Sequence, residues 1–114
     1  MITTQTQTAV SLKEVQEVAQ HIVARFCPQK VILFGSYAYG QPHEGSDVDL
    51  LVVISHPPSR QEAWNAKREI RQHCRFPVQV GFMSPEEFDE TKHVVGGLAY
   101  SAHHWGRILH EANA

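Results

Sequence analysis

Val31-Ile32-Leu33-Phe34-Gly35-Ser36, then ten residues, then Asp47-Val48-Asp49-Leu50-Leu51-Val52-Val53-Ile54: the reading of these two stretches decides the fold. Each apolar run is too short for a core helix and is bounded by turn residues, so each reads as a buried strand. The second run stays apolar on both faces after Asp49, which places it in the centre of a sheet covered on both sides. Between the runs, Gly35, Gly40, Pro42 and Gly45 mark a turn-rich segment. Asp47 and Asp49 are two apart on a strand, so their side chains leave the same face. Two carboxylates side by side among aliphatics repel, and a divalent cation removes that repulsion. Mg²⁺ suits them, because it accepts one or two protein carboxylates and completes its octahedron with water and phosphate oxygens. The turn at Gly35-Ser36, opening a short helix, offers backbone N–H groups and a hydroxyl of the kind that hold phosphates. Either feature alone also has an ordinary reading, as two solvated acids at a strand edge or as a plain turn.

Working outward, Ser11 with Glu14 forms a capping box that opens a helix. Leu12, Val15, Val18, Ala19, Ile22, Val23 and Phe26 share one face of it, and Pro28 ends it. Downstream of the central strand, His56-Pro57-Pro58 breaks the chain, and Ser59 with Glu62 caps a second long helix to about Arg75. Phe76–Phe82 reads as a third strand, with Val78, Val80 and Phe82 on one side. Ser84-Pro85-Glu86-Glu87 starts another helix, and Gly96-Gly97 interrupts before a last one near Leu98. Gly106 closes that helix, leaving Ile108-Leu109 as more helix or a short edge strand. The order is α-β-β-α-β-α-α in one α/β layer arrangement, an α+β variant of that class. Residues 1–10 read as a flexible tail and 11–114 as a single domain.

The bulk properties narrow the classes. The chain has 114 residues, 42% hydrophobic and 19% charged, with a formal net charge of −2. That charge argues against a protein that coats nucleic acid, and direct nucleic-acid binding is not expected. A chain this short buries a modest share of its surface, so a partner or a homo-oligomer is expected to add to it. Cys27 and Cys74 have no metal-type spacing and are expected to be reduced and buried. Met1–Thr8 carries neither a basic n-region nor an apolar h-region, and no apolar run approaches a membrane span. The expectation is a cytoplasmic protein with no membrane contact. Arg60, Lys67, Arg68, Arg71 and Arg75 with Trp64 read as a solvated helix face, or as a surface for an acidic partner or RNA. Leu98, Ala102, Trp105 and Leu109 form a stripe that reads as core or a partner-facing surface. Among eight histidines, His103 and His104 are adjacent on a helix and point about 100° apart, so one tetrahedral metal would need ligands from elsewhere.

Taken together, Gly35-Ser36, the ten-residue interval and Asp47-Val48-Asp49 in an aliphatic strand resemble the signature of the polymerase-beta nucleotidyltransferase superfamily. Gly35-Ser36-Tyr37-Ala38-Tyr39-Gly40 and Ser46-Asp47-Val48-Asp49-Leu50-Leu51-Val52 resemble its minimal nucleotidyltransferases of the HEPN/MNT antitoxin type. Phe76-Pro77-Val78-Gln79-Val80, Ser84-Pro85-Glu86-Glu87-Phe88 and Gly106-Arg107-Ile108-Leu109-His110-Glu111 extend the likeness over nearly all of residues 11–111. The resemblance implies a small mixed β-sheet with helices packed on it. It also implies Mg²⁺-dependent transfer of a nucleoside monophosphate, AMP from ATP, to an acceptor hydroxyl. Asp47 and Asp49 would be catalytic and hold the metal; Gly35, Ser36 and Ser46 would bind the nucleotide. The implied partner is a HEPN-family ribonuclease toxin, adenylylated on tyrosine or simply covered.

The sequence departs from that pattern at Gln79, where the family usually has a third acid in Pro-Val-Asp-Val. A neutral amide is a weaker Mg²⁺ ligand than a carboxylate, which puts transfer in doubt more than nucleotide binding. Tyr39 and His43 stand where basic residues are common. The first reading is therefore a transferase acting as antitoxin. The alternative is a catalytically impaired member that binds nucleotide or neutralises its partner by contact. A transferase for small hydroxylated molecules is disfavoured, since 114 residues leave no separate acceptor domain. Acceptor, base preference and oligomeric state are not written in the sequence.

Overall fold

The four strands β1 (Lys30–Phe34), β2 (Val48–Val53), β3 (Val78–Met83) and β4 (Arg107–Glu111) form one sheet in the order β3-β2-β1-β4. The computed structural model describes residues 10–39 and 47–112. β1 is antiparallel to β2 and to β4, whereas β2 and β3 are parallel, so the sheet is mixed. Among the described residues five helices accompany it: α1 (Leu12–Phe26), α2 (Ser36–Tyr39), α3 (Arg60–His73), α4 (Pro85–Thr91) and α5 (Leu98–Trp105). β2 is interior, as its two-sided apolar run requires, and its Val48, Leu50, Leu51 and Val52 are fully buried.

The side-chain period of two sends alternate residues of β2 into different cores. Val48, Leu50 and Val52 face α1 and α3, joined by Val15, Val18, Ala19, Ile22 and Ile70. Leu51 and Val53 face α4 and α5, with Ile32, Met83, Phe88, Ala99 and Ala102. α1 and α3 begin on reciprocal capping boxes, Ser11 with Glu14 and Ser59 with Glu62. The helix start at Ser84 holds too, its hydroxyl accepting from the Glu87 amide at 3.1 Å. Arg25 reaches Glu69 at 2.6 Å and Arg75 reaches Glu14 at 2.7 Å, tying α1 to α3 and to the segment beyond it.

One open reading is settled and several expectations need amendment. Ile108-Leu109 is strand, because α5 crosses the sheet from Leu98, over Gly81 of β3, to Gly106, against Ile32 of β1. The chain leaves that crossing beside β1 and pairs with it. Leu109 consequently parts from the supposed helical stripe and packs on the α1 side. Leu98 and Trp105 are exposed and only Ala102 is buried. Cys27 and Cys74 are both free thiols, but Cys27 is exposed, since it takes the left-handed position (φ 50°) that ends α1. Val10, assigned to the tail, packs on the core; residues 1–9 lie outside the described residues. No helix among the described residues is long and apolar enough to cross a membrane.

The α5-to-β4 joint makes a direct prediction. A Cβ at Gly106 would collide with the Ala102 carbonyl and come within 2.7 Å of Ile32 Cγ2. Gly106→Ala should therefore cost about 1–3 kcal/mol, as overpacking does. Urea denaturation measures it, and a neutral substitution would mean that α5 does not seat on β1 in this way.

Candidate active site

β1 ends at Phe34 and delivers the chain to Gly35, whose φ of 78° is left-handed. The Ala38 amide then donates to the Gly35 carbonyl at 3.0 Å and α2 begins. A Cβ on Gly35 would collide with Asp49 Oδ2 and lie 3.2 Å from Asp49 Cγ. The turn and the carboxylate touch, so both the backbone angle and the space at residue 35 exclude a side chain.

Register explains why the carboxylate is there. Asp49 pairs with Phe34 across the antiparallel ladder and with Gln79 across the parallel one. Directly paired side chains share a face, and Asp47, two residues earlier, follows it. This is the face that α5 covers further along, where Leu51 and Val53 continue the same alternation. Gln79 Nε2 donates a hydrogen bond to Asp47 Oδ2 at 3.2 Å. Burial first, and the Asp47 carboxylate second, push the Asp49 carboxyl above its ordinary value.

The structure thus brings together Gly35, Asp47, Asp49 and Gln79, with Ser36 half-buried at the start of α2. Ser46 and His43 lie outside the described residues. Phe34 was read only as core; its place directly beside Asp49 follows from the β1–β2 register, which no local motif encodes. Two carboxylates converging on one face, one resisting ionisation first because of burial and second because of the other, are hard oxygen donors that fit Mg²⁺. A groove of about 470 Å³ lies elsewhere, lined by Glu14, His21, His73, Cys74 and Phe76. It shares no residue with the aspartate pair, and its Glu14 is committed to Arg75.

Fold and site together define an α/β domain of the nucleotidyltransferase kind. The chain belongs to the nucleotidyltransferase domain family, whose model matches residues 12–98. Among solved structures it is similar to a toxin–antitoxin complex with AMP-PNP, at 17% identity and a TM-score of 0.65, covering 86% of this chain and 74% of that one. It is also similar to a mutant of the MntA–HpeT toxin–antitoxin, at 15% identity and a TM-score of 0.58, covering 91% of this chain and 76% of the other. A candidate nucleotidyltransferase from Sulfolobus solfataricus is 23% identical with a TM-score of 0.50, each chain covered to 75%. At these identities the likeness is one of fold. No curated protein matches the chain in sequence.

The strained electrostatics at Asp49 predict a pH-dependent stability. Its folded pKa is raised above the ordinary 3.8, so the unfolded chain ionises more readily and ionisation favours unfolding. The penalty is full at neutral pH, fades as pH falls through the folded pKa, and vanishes below the ordinary value. Asp49→Asn should accordingly raise the Tm of the metal-free protein at pH 7, with the difference closing towards pH ~3. Thermal melts across pH check this; a variant less stable at pH 7 and unchanged by acid would refute it.

Proposed function

We propose that the protein is a Mg²⁺-dependent nucleotidyltransferase that moves AMP from ATP to an acceptor hydroxyl. We assign it as the antitoxin of a two-component pair whose partner is a HEPN-family ribonuclease toxin. The observation that carries the reading is the contact between the Asp49 carboxylate and the Gly35 turn, in a chain that belongs to the nucleotidyltransferase domain family. Support for the nucleotide and the partner comes from the fold likeness to toxin–antitoxin structures, one of them with AMP-PNP.

In this reading Asp47 and Asp49 hold the metal, and Gly35, Ser36 and Ser46 bind the triphosphate. Bound Mg²⁺ supplies positive charge at the phosphates and makes the acceptor hydroxyl more acidic. The Gly35-Ser36 turn brings N–H groups and a hydroxyl to the phosphate oxygens beside the acids. The acceptor oxygen bonds to the α-phosphorus, the bond to the bridging oxygen breaks, pyrophosphate leaves with its electron pair, and the hydroxyl proton passes to solvent. Asp49 is half-buried, with Phe34 paired directly beside it.

A second reading is favoured by one observation, the Gln79 amide donating to Asp47. An amide here adds no negative charge and occupies one carboxylate oxygen of the pair. The site then binds nucleotide but transfers it slowly, and the antitoxin acts largely by contact with its partner.

Two measurements separate these readings and test their shared premise. Replacing Asp47 and Asp49 together by Asn should abolish Mg²⁺-dependent ATP binding in calorimetry; undiminished binding would move the site elsewhere. With α-labelled ATP, label transfer to the HEPN-family partner should be slow in the parent and faster in Gln79→Asp. One missing carboxylate is worth a few kcal/mol at the transition state, where each ~1.4 kcal/mol is tenfold in rate. Rapid transfer by the parent, equal to that of the variant, would dismiss the impaired reading.

A further inference from the structure

His93, His103 and His104 converge on the surface. His93 lies in the turn that follows α4, and His103 and His104 lie in the last turn of α5. One ligand nitrogen from each falls within 4.8 Å of the other two. His93 Nδ1 and His104 Nε2 are 3.3 Å apart. Ring centroids are separated by 5.3 Å for His93 and His103 and by 4.9 Å for His103 and His104. One neighbouring ring flanks each of two of them, Phe88 beside His103 at 6.1 Å and Tyr100 beside His104 at 4.4 Å.

Neighbouring histidines on one helix diverge too far to close on a single ion unaided. Here a third imidazole arrives from a different element and bridges them. Nitrogens bound to tetrahedral Zn²⁺ at about 2.0–2.1 Å are about 3.3 Å from one another. The His93–His104 separation already has that value. His103 needs to close from at most 4.8 Å, and its exposed side chain is free to turn. The donor set decides the class of ion: three imidazoles suit Zn²⁺, Ni²⁺ or Cu²⁺, whereas Mg²⁺ takes oxygen. Without an ion, the His93–His104 contact serves as a ring-to-ring hydrogen bond.

We infer that His93, His103 and His104 form a binding site for one divalent transition-metal ion, with water completing the coordination. The ion fastens the α4–α5 turn to the far end of α5. This site is separate from the aspartate pair. Phe88, against which His103 packs, lies beneath Lys30 at the start of β1, while Asp49 pairs with Phe34 at its other end.

The test uses the full-length chain without an affinity tag, carrying Asp47→Asn and Asp49→Asn so that the acidic site cannot compete. Co²⁺ is titrated in excess Mg²⁺ and followed by its visible absorption, then displaced with Zn²⁺. One Co²⁺ per chain is expected, with the spectrum of a nitrogen-bound ion. His93→Gln and His104→Gln should each weaken binding by at least about tenfold, since even outer-sphere changes cost 10–100-fold at metal sites. His21→Gln with His73→Gln, which alters the other close histidine pair, should leave it unchanged. Absence of saturable binding, or an undiminished affinity in His93→Gln, overturns the inference. As a check that needs no histidine variant, Co²⁺ should broaden the ring signals of His93, His103 and His104 before those of other histidines. Broadening centred elsewhere overturns it as well.

Discussion

The contact between the bare Cα of Gly35 and the carboxylate of Asp49 is the constraint on which the rest of the structure depends. It requires β1 and β2 to be neighbours, in the one register that pairs Phe34 with Asp49. It also requires the chain to leave β1 in a left-handed turn, which only glycine takes at no cost. A slip of one residue would turn Asp49 to the α1–α3 side and set Leu50 against the turn. The slip is opposed because it would carry the Asp49 carboxylate into the apolar layer of Val48, Leu50 and Val52.

The acids stand at the start of the most buried strand, which is an expensive place for charge. The energetic conflict is visible in Asp49, whose ionisation is resisted by burial and by Asp47. Within the described residues the conflict is met by an uncharged donor, the Gln79 amide, on Asp47. An acid at position 79 would sharpen the repulsion and thereby strengthen the demand for cations. Gln79 makes no such demand, and its amide quiets the metal-free pair.

Much of this was legible in the sequence because it is local. Capping boxes at Ser11 and Ser59, the Ser84-Pro85 start and the period-two strands each depend on residues within a turn or two of each other. The acids and their glycine turn were legible as well, since Asp49 lies in β2 with Asp47 just ahead of it and Gly35 directly follows β1. What the sequence hid depends on crossings. The strand nature of Ile108-Leu109 follows from where α5 lands, at Ile32, and the role of Phe34 follows from register. His93 could not be linked to His103 and His104 by spacing alone, because the return of α5 past α4 brings them together.

The two cores divide the work of the molecule. The face under α1 and α3 is a continuous apolar layer, closed by Arg25–Glu69 and Arg75–Glu14 at its exposed margins. The face under α4 and α5 is smaller and has the candidate site at one end, with Asp47, Asp49 and Gln79, and the three histidines at the other. α5 spans the interval, set by Leu98 over Gly81, one alternation along β3 from Gln79, and by Gly106 on Ile32. Its burial rests on the small residues Ala99 and Ala102. Small side chains let the helix lie close to the sheet but contribute little apolar area. The helix bordering the acids is therefore held by fit at its two ends more than by the area between them.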